Sequence, residues 1–332
     1  NMKIAVIGRS AYAKLLKRYL RKGFVIKYFS SLHNENLKKF KNIDVLISMT
    51  WGNSIWGENK AQRVPDLKQL KLIHLPGSGI DGIDFSKVPE GCIVCNVYEH
   101  EIAISEFVLA NLLNWEINLI NKINKFKLYN WEDSMLFSNN PHGELHKKEV
   151  GILGYGRIGK ELAKKLNAFD TKVTAITRKR IKKDGYFNKN ILVSDILKSM
   201  NKYDYFIVAC DLNESTFNLI AEKEIRRMNK NCVLVNVARG PIVNEKDLYF
   251  ALRKKYIKGA IIDTWYKYPE KKNLKYFKPS KFDFSKLKNI IMTPHLSALT
   301  KNLLERRVKI ITKNIIAIKN NKKPINVVNG DR

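Results

Sequence analysis

The 332 residues are 45% hydrophobic and 28% charged, which allows two buried cores and excludes a disordered chain. No apolar run approaches membrane-spanning length, and four cysteines in so long a chain exclude a disulfide framework. The formal net charge of +30 is spread along the chain without the aromatic–basic interleaving of a nucleic-acid binder, so no specific nucleic-acid or membrane partner is expected.

The opening Met2–Gly8 is too short and too strand-like for a signal peptide, and Asn1 reads as an addition before Met2. Lys3–Ile7 predicts a strand, Ala11–Arg21 a helix and Phe24–Phe29 a second strand. Further strands are expected at Asp44–Met49, Leu72–Leu75 and Cys92–Val97. Helical pieces between such strands imply a parallel α/β layer with right-handed crossovers. Gly77-Ser78-Gly79-Ile80-Asp81 forms a glycine-rich loop after the fourth of these strands. Cys92 and Cys95 lack the second ligand pair of a zinc site and read as core residues; no metal is expected, and the cytoplasm is the simplest compartment.

Apolar residues at helical spacing predict one long helix from about Ile102 to Lys125, and the polar stretch 138–143 then reads as a loop. Val150–Leu153 next runs as an apolar strand into Gly154-Tyr155-Gly156-Arg157-Ile158-Gly159, with a helical pattern from Lys160 to Leu166. Strand, G-x-G-x-x-G turn and helix in that order are the signature of a dinucleotide site. Gly154 permits the tight turn, Gly156 admits a pyrophosphate, Gly159 lets helix and strand pack closely, and the helix N-terminus offers N–H groups to the phosphates. Five more strands follow, at Val173–Thr177, Tyr205–Ala209, Val233–Val237, Ala260–Asp263 and Ile290–Thr293, completing a six-stranded doubly wound sheet. A final amphipathic helix is expected near Lys301–Ile318.

Three residues at predicted strand ends carry chemistry, because open α/β sheets bind ligands at that edge. Arg239, in Asn236-Val-Ala-Arg-Gly240, offers a charged fork suited to a carboxylate. His295, in Thr293-Pro-His295, can pass a proton to or from a carbonyl oxygen. Asp263 can accept a hydrogen bond from a nicotinamide carboxamide; simple solvation at the sheet edge is the alternative.

In these motifs, their order and their spacing the chain resembles the D-isomer-specific 2-hydroxyacid dehydrogenases over nearly its whole length. The resemblance extends through Gly77–Asp81, Ser105-Glu106 and the closing Lys323-Pro-Ile-Asn-Val-Val-Asn329. It implies two doubly wound parallel-sheet domains, a flavodoxin-like substrate domain at 1–99 and 295–332 and an inserted Rossmann cofactor domain at 100–294, with a cleft between them. It implies Arg239 and His295 as catalytic residues. Arg239 and the backbone at Ser78 and Gly79 would bind the substrate carboxylate. The implied cofactor-binding residues are Gly154, Gly156, Arg157, Ile158, Gly159, Thr177, Arg178, Lys179, Ala238 and Asp263. Homodimers formed through the cofactor domain are the family habit.

Two departures matter. The family places a Glu five residues after the Asp to hydrogen-bond the histidine; here that place holds Tyr268, with Glu270 nearby. A carboxylate would raise the pKa of the histidine more than a neutral phenol does. The expectation is therefore an Arg239–His295 dyad with its optimum on the acid side of enzymes that keep the full triad. The formate branch also lacks this Glu and uses Gln, which keeps a formate- or phosphorus-oxyanion-type dehydrogenase as an alternative. A non-catalytic corepressor-like protein is a second alternative.

The other departure follows the second cofactor-domain strand. NAD-binding folds place an acid there for the ribose 2′-hydroxyl, but this chain has Thr177-Arg178-Lys179-Arg180. These cations suit a 2′-phosphate, so NADP(H) is expected to be preferred, with NAD(H) possible. His100 either lines the pocket or caps a solvated helix start, and Trp51 reads as a core or rim aromatic. The function expected is an NADP(H)-dependent reductase of a small 2-ketoacid such as glyoxylate or hydroxypyruvate.

Overall fold

A computed structural model describes residues 1–53, 61–269 and 274–328. It divides into two compact units, Asn1–Glu99 with Leu299–Arg332, and His100–Ala298.

Among the described residues, the first unit holds five parallel strands: β1 (Met2–Ile7), β2 (Phe24–Phe29), β3 (Val45–Ile47), β4 (Leu72–His74) and β5 (Ile93–Cys95), ordered β2-β1-β3-β4-β5. β3 and β4 are buried throughout, which is why β3 reads as an unbroken apolar run and β4 as one ended only by His74. Helices Ser10–Tyr19 and Leu303–Lys319 pack together on one face, where Tyr12, Leu16, Val308, Ile311 and Ile315 meet Ile4 and Val6. The C-terminal helix thus completes the core begun by the first residues.

Among the described residues, the second unit holds seven parallel strands: β6 (Glu149–Leu153), β7 (Lys172–Thr177), β8 (Lys189–Leu192), β9 (Tyr205–Val208), β10 (Val233–Asn236), β11 (Gly259–Ile262) and β12 (Ile290–Met292). Their order is β12-β11-β10-β9-β6-β7-β8, with the direction of winding reversing between β6 and β9. That reversal is the topological switch point where such sheets bind ligands. Because the strands are parallel, the loops after β6, β7, β10, β11 and β12 all leave at one edge.

Three details differ from the sequence expectations. Edge strand β8 is the seventh; its Lys-Asn-Ile-Leu is largely half-buried and carries no apolar run to announce it. The helix expected over 102–125 is two helices, Glu101–Ile117 and Leu119–Phe126, broken at Asn118 with φ 55°. Asn tolerates that left-handed conformation better than most residues. The second unit runs to Ala298 rather than ending at Pro294, because Leu296 and Ser297 hydrogen-bond Asp263.

Candidate active site

The glycine turn is built by close approaches. Gly154 has φ 96°, and a Cβ there would lie 2.6 Å from the backbone nitrogen of Cys210, after β9. Gly159, in the helix Arg157–Asn167, packs so closely that a Cβ would strike the Gly154 carbonyl oxygen. At Gly156 a Cβ would meet nothing within 4 Å. Gly156 is also the helix N-cap and supplies no side-chain cap. Open space beside uncapped N–H groups fits a pyrophosphate. Arg157 is exposed, with its guanidinium 3.8 Å from the Glu101 carboxylate, and Ile158 is half-buried.

β7 ends at the expected cations. The Thr177 hydroxyl donates to the Lys179 carbonyl at 2.7 Å and accepts from Asn190 at 2.8 Å, fixing the turn. Arg180 donates to the Asn190 carbonyl. Arg178 and Lys179 are exposed, and their side chains have no hydrogen-bond or ion-pair partner among the described residues. Asp184 lies close by, held by the Tyr155 hydroxyl at 3.2 Å and Lys160 at 3.4 Å.

Neighbouring strands β10, β11 and β12 deliver Arg239, Asp263 and His295 to the same sheet edge. The Asn236 side chain clamps the first loop: it accepts the Ala238 N–H at 3.1 Å and donates to the Arg239 carbonyl at 2.9 Å. Ala238 is buried; Arg239 is half-buried and donates to the Ala238 carbonyl at 2.8 Å.

Asp263 is fully buried, which removes the solvated alternative. Its carboxylate accepts the Thr293 hydroxyl at 2.6 Å, the Leu296 N–H at 2.9 Å and the Ser297 N–H at 3.0 Å. These bonds bracket His295, whose backbone is left-handed at φ 56°. Such a conformation in a non-glycine residue costs about 1–3 kcal/mol and persists where neighbours enforce it.

Tyr268 occupies the place of the family Glu and reaches the histidine: its hydroxyl lies 2.8 Å from His295 Nδ1. The same oxygen accepts the Trp265 N–H at 3.1 Å, and the Trp265 indole donates to the Thr293 carbonyl at 2.8 Å. Burial, then the Arg239 charge, push His295 down to about 4 against the opposing pull of Asp263. Burial pushes the Tyr268 phenol up to about 12. Both groups are therefore neutral near neutral pH. Glu270 lies outside the described residues.

In the first unit, Ser78 and Gly79 follow β4 and are half-buried; the buried Asn96 amide donates to the Ser78 carbonyl at 2.9 Å. Trp51 is a core residue whose indole donates to the Lys87 carbonyl at 2.8 Å. In the second unit, His100 is buried at the start of the helix Glu101–Ile117, which removes the solvated alternative. Asn329 of the closing motif lies outside the described residues.

The sequence did not single out Asn236, Trp265 or Thr293 as supports of the loops. Asn236 alone had a local signal, an amide at a strand end just before the Arg. The bonds of Trp265 and Thr293 join loops about thirty residues apart, a pairing only the sheet order reveals.

The sheet order, the glycine turn and the loops at the switch point define a dinucleotide-binding α/β protein. Residues 109–297 match the D-isomer specific 2-hydroxyacid dehydrogenase, NAD binding domain, family, and the chain belongs to it. A D-3-phosphoglycerate dehydrogenase from Methanocaldococcus jannaschii is 29% identical over 306 residues, covering 89% of this chain and 53% of that one, so the chain spans about half the length of that relative. A glyoxylate reductase from Thermococcus gammatolerans is 26% identical over 304 residues, covering 89% of this chain and 85% of its own. Among solved structures, an NADPH-dependent glyoxylate/hydroxypyruvate reductase from Sinorhizobium meliloti in complex with NADP and malonate superposes with a TM-score of 0.76 at 19% identity, covering 98% and 96% of the two chains.

Proposed function

We propose that the protein is an NADP(H)-dependent 2-ketoacid reductase acting on a small acid such as glyoxylate or hydroxypyruvate. The observation that carries this reading is the pair of strand-end loops that present Arg239 and His295 at one edge of the Rossmann sheet, each fixed by a buried clamp. Arg239 binds the substrate carboxylate, with Ser78 and Gly79 as further substrate-binding positions. His295 supplies the proton. The cofactor, when bound, supplies the hydride to the carbonyl carbon. Gly154, Gly156, Arg157, Ile158, Gly159 and Ala238 form its backbone cradle.

Arg178 and Lys179, exposed beside Thr177, support a 2′-phosphate ligand. The carboxylate of Asp263 retains an acceptor position beyond its three bonds for the carboxamide. Asp184 already pairs with Tyr155 and Lys160. Glyoxylate reductases among the relatives support the substrate class.

A homodimer is part of this reading. Leu119, Ile120, Phe126, Leu128, Met135 and Leu136 are all exposed in one stretch of the second unit. An apolar surface of that kind marks an interaction site, and a second copy is the occupant the family habit implies. No helix among the described residues is long and apolar enough to cross a membrane. Free thiols at Cys92, Cys95, Cys210 and Cys232 support a reducing, cytoplasmic compartment. Assay of a panel of 2-ketoacids with NADPH and with NADH tests the function directly.

A further inference from the structure

We propose that Tyr268 is a positioning residue that donates its phenolic proton to His295 Nδ1, fixes the imidazole as the Nε2–H tautomer, and replaces the proton that Nε2 gives away. The inference rests on the reading of His295 as the proton donor of a ketoacid reductase.

The 2.8 Å contact between two neutral groups has one donor and one acceptor. A phenol O–H is the stronger acid of the two, and an unprotonated imidazole nitrogen is a far better base than a phenol oxygen. The O–H···N arrangement is therefore preferred to N–H···O. The Trp265 N–H, donating to the same oxygen at 3.1 Å, strengthens the hydroxyl as a donor. A carboxylate in this place has no proton to give, so it holds the imidazole proton on Nδ1 and stabilises the cation. Replacing Glu by Tyr thus reverses the polarity of the bond at Nδ1.

Burial and the Arg239 charge act in the same sense. Arg239 disfavours an imidazolium and Asp263 favours it, and burial decides for the neutral ring, at about 4. Near neutral pH, an imidazolium is then present in roughly one molecule per thousand. A route that needed that cation would be slow. The acid-side optimum expected from the sequence treated Tyr268 only as a missing charge; the hydrogen bond gives it a proton to lend.

The proton steps balance. As hydride reaches the carbonyl carbon, the C=O π pair moves to oxygen and takes the proton from His295 Nε2. The Nδ1 lone pair takes the phenolic proton, leaving the O–H bonding pair on Tyr268. Arg239 and the Trp265 N–H stabilise that phenolate until Nδ1 returns its proton along the same hydrogen bond and Nε2 takes a proton from water, which restores the Nε2–H tautomer and the phenol.

The test uses the full chain with 15N-labelled histidine, long-range 1H–15N correlation near pH 7, and His295 assigned through His295→Gln. The expected spectrum shows Nε2 protonated and Nδ1 as a bare acceptor. In Tyr268→Phe the tautomers mix. In Tyr268→Glu the proton moves to Nδ1 and His295 titrates roughly two pH units higher. A native spectrum with the proton on Nδ1 overturns the proposal. The pH profile of reduction then reads the proton return: flat between about pH 6 and 9 for the native chain, and falling by up to roughly tenfold per pH unit in Tyr268→Phe. A native profile with the same fall overturns the return step. The tautomer is read without turnover, so a chain with the expected spectrum but no ketoacid reduction overturns the functional reading and not the pairing.

Discussion

The carboxylate of Asp263, at the end of β11, accepts the backbone N–H of Ser297 at 3.0 Å and so ties the loop after β12 to the neighbouring strand. Bonds to Leu296 and Thr293 complete the clamp. His295, held between them in a left-handed conformation, depends on this clamp for its position. Asp263→Ala leaves two backbone N–H groups and a hydroxyl without their acceptor, which costs roughly 1–3 kcal/mol per buried group left unsatisfied. Asp263→Asn keeps one acceptor oxygen and withdraws the negative charge that favours the His295 cation. Its amide nitrogen, however, faces at least one of these donors, so the expected outcome is a fall in kcat and a lower urea midpoint for both, steeper for Ala.

The cations after β7 predict cofactor choice. Native enzyme is expected to show higher kcat/KM with NADPH than with NADH. Because a paired guanidinium–phosphate contact is charge-assisted, Arg178→Ala with Lys179→Ala lowers the NADPH/NADH ratio by about tenfold or more. An unchanged ratio would assign 2′-phosphate recognition to other residues.

His74 predicts how stability depends on acid. It is fully buried, with Nδ1 against the Leu75 carbonyl at 2.9 Å and Nε2 against the Asn314 amide at 3.0 Å. Burial pushes it down to about 4 from its ordinary 6.5. Below pH 6.5 the unfolded chain takes up the proton and the folded chain does not. Stability is therefore complete above 6.5, falls as pH drops from 6.5 towards 4, and loses about 3 kcal/mol in all. Urea unfolding near pH 7.5 and 4.5 is expected to show a drop smaller by roughly 2–3 kcal/mol in His74→Gln than in the native chain. Equal drops would remove His74 from the acid response.

The exposed apolar stretch predicts an oligomer. Leu128→Asp with Leu136→Asp introduces charges into a surface that association would dry out, which costs several kcal/mol across an interface. Light scattering is expected to give a dimer for the native chain and a monomer for the variant. A native monomer contradicts the assignment.

The main strands were legible because each is a short, apolar run in a sheet covered on both faces. Val233–Asn236 and Gly259–Ile262 are buried at every position. β8 escaped because an edge strand with Lys189 and Asn190 has no such run. The break at Asn118 escaped because apolar spacing continues through Leu119 and Ile120 while the backbone turns left-handed. At the site, Arg239, Asp263 and His295 announced themselves as polar residues ending apolar strands. Their supports did not, since the Tyr268–His295 and Trp265–Thr293 bonds join loops that are distant in the chain. Tyr268 was visible as a departure from the family pattern, but its contact was visible only in three dimensions.

The central claim is that Arg239 and His295 together turn a ketoacid into a hydroxyacid. Its most direct measurement is the reduction of glyoxylate and hydroxypyruvate with NADPH by the native chain, Arg239→Ala and His295→Ala. The account predicts turnover by the native chain and a loss of at least about 100-fold in kcat/KM for each variant, with folding retained. Native-level turnover in either variant, or no reduction of either acid by the native chain with either cofactor, would contradict it.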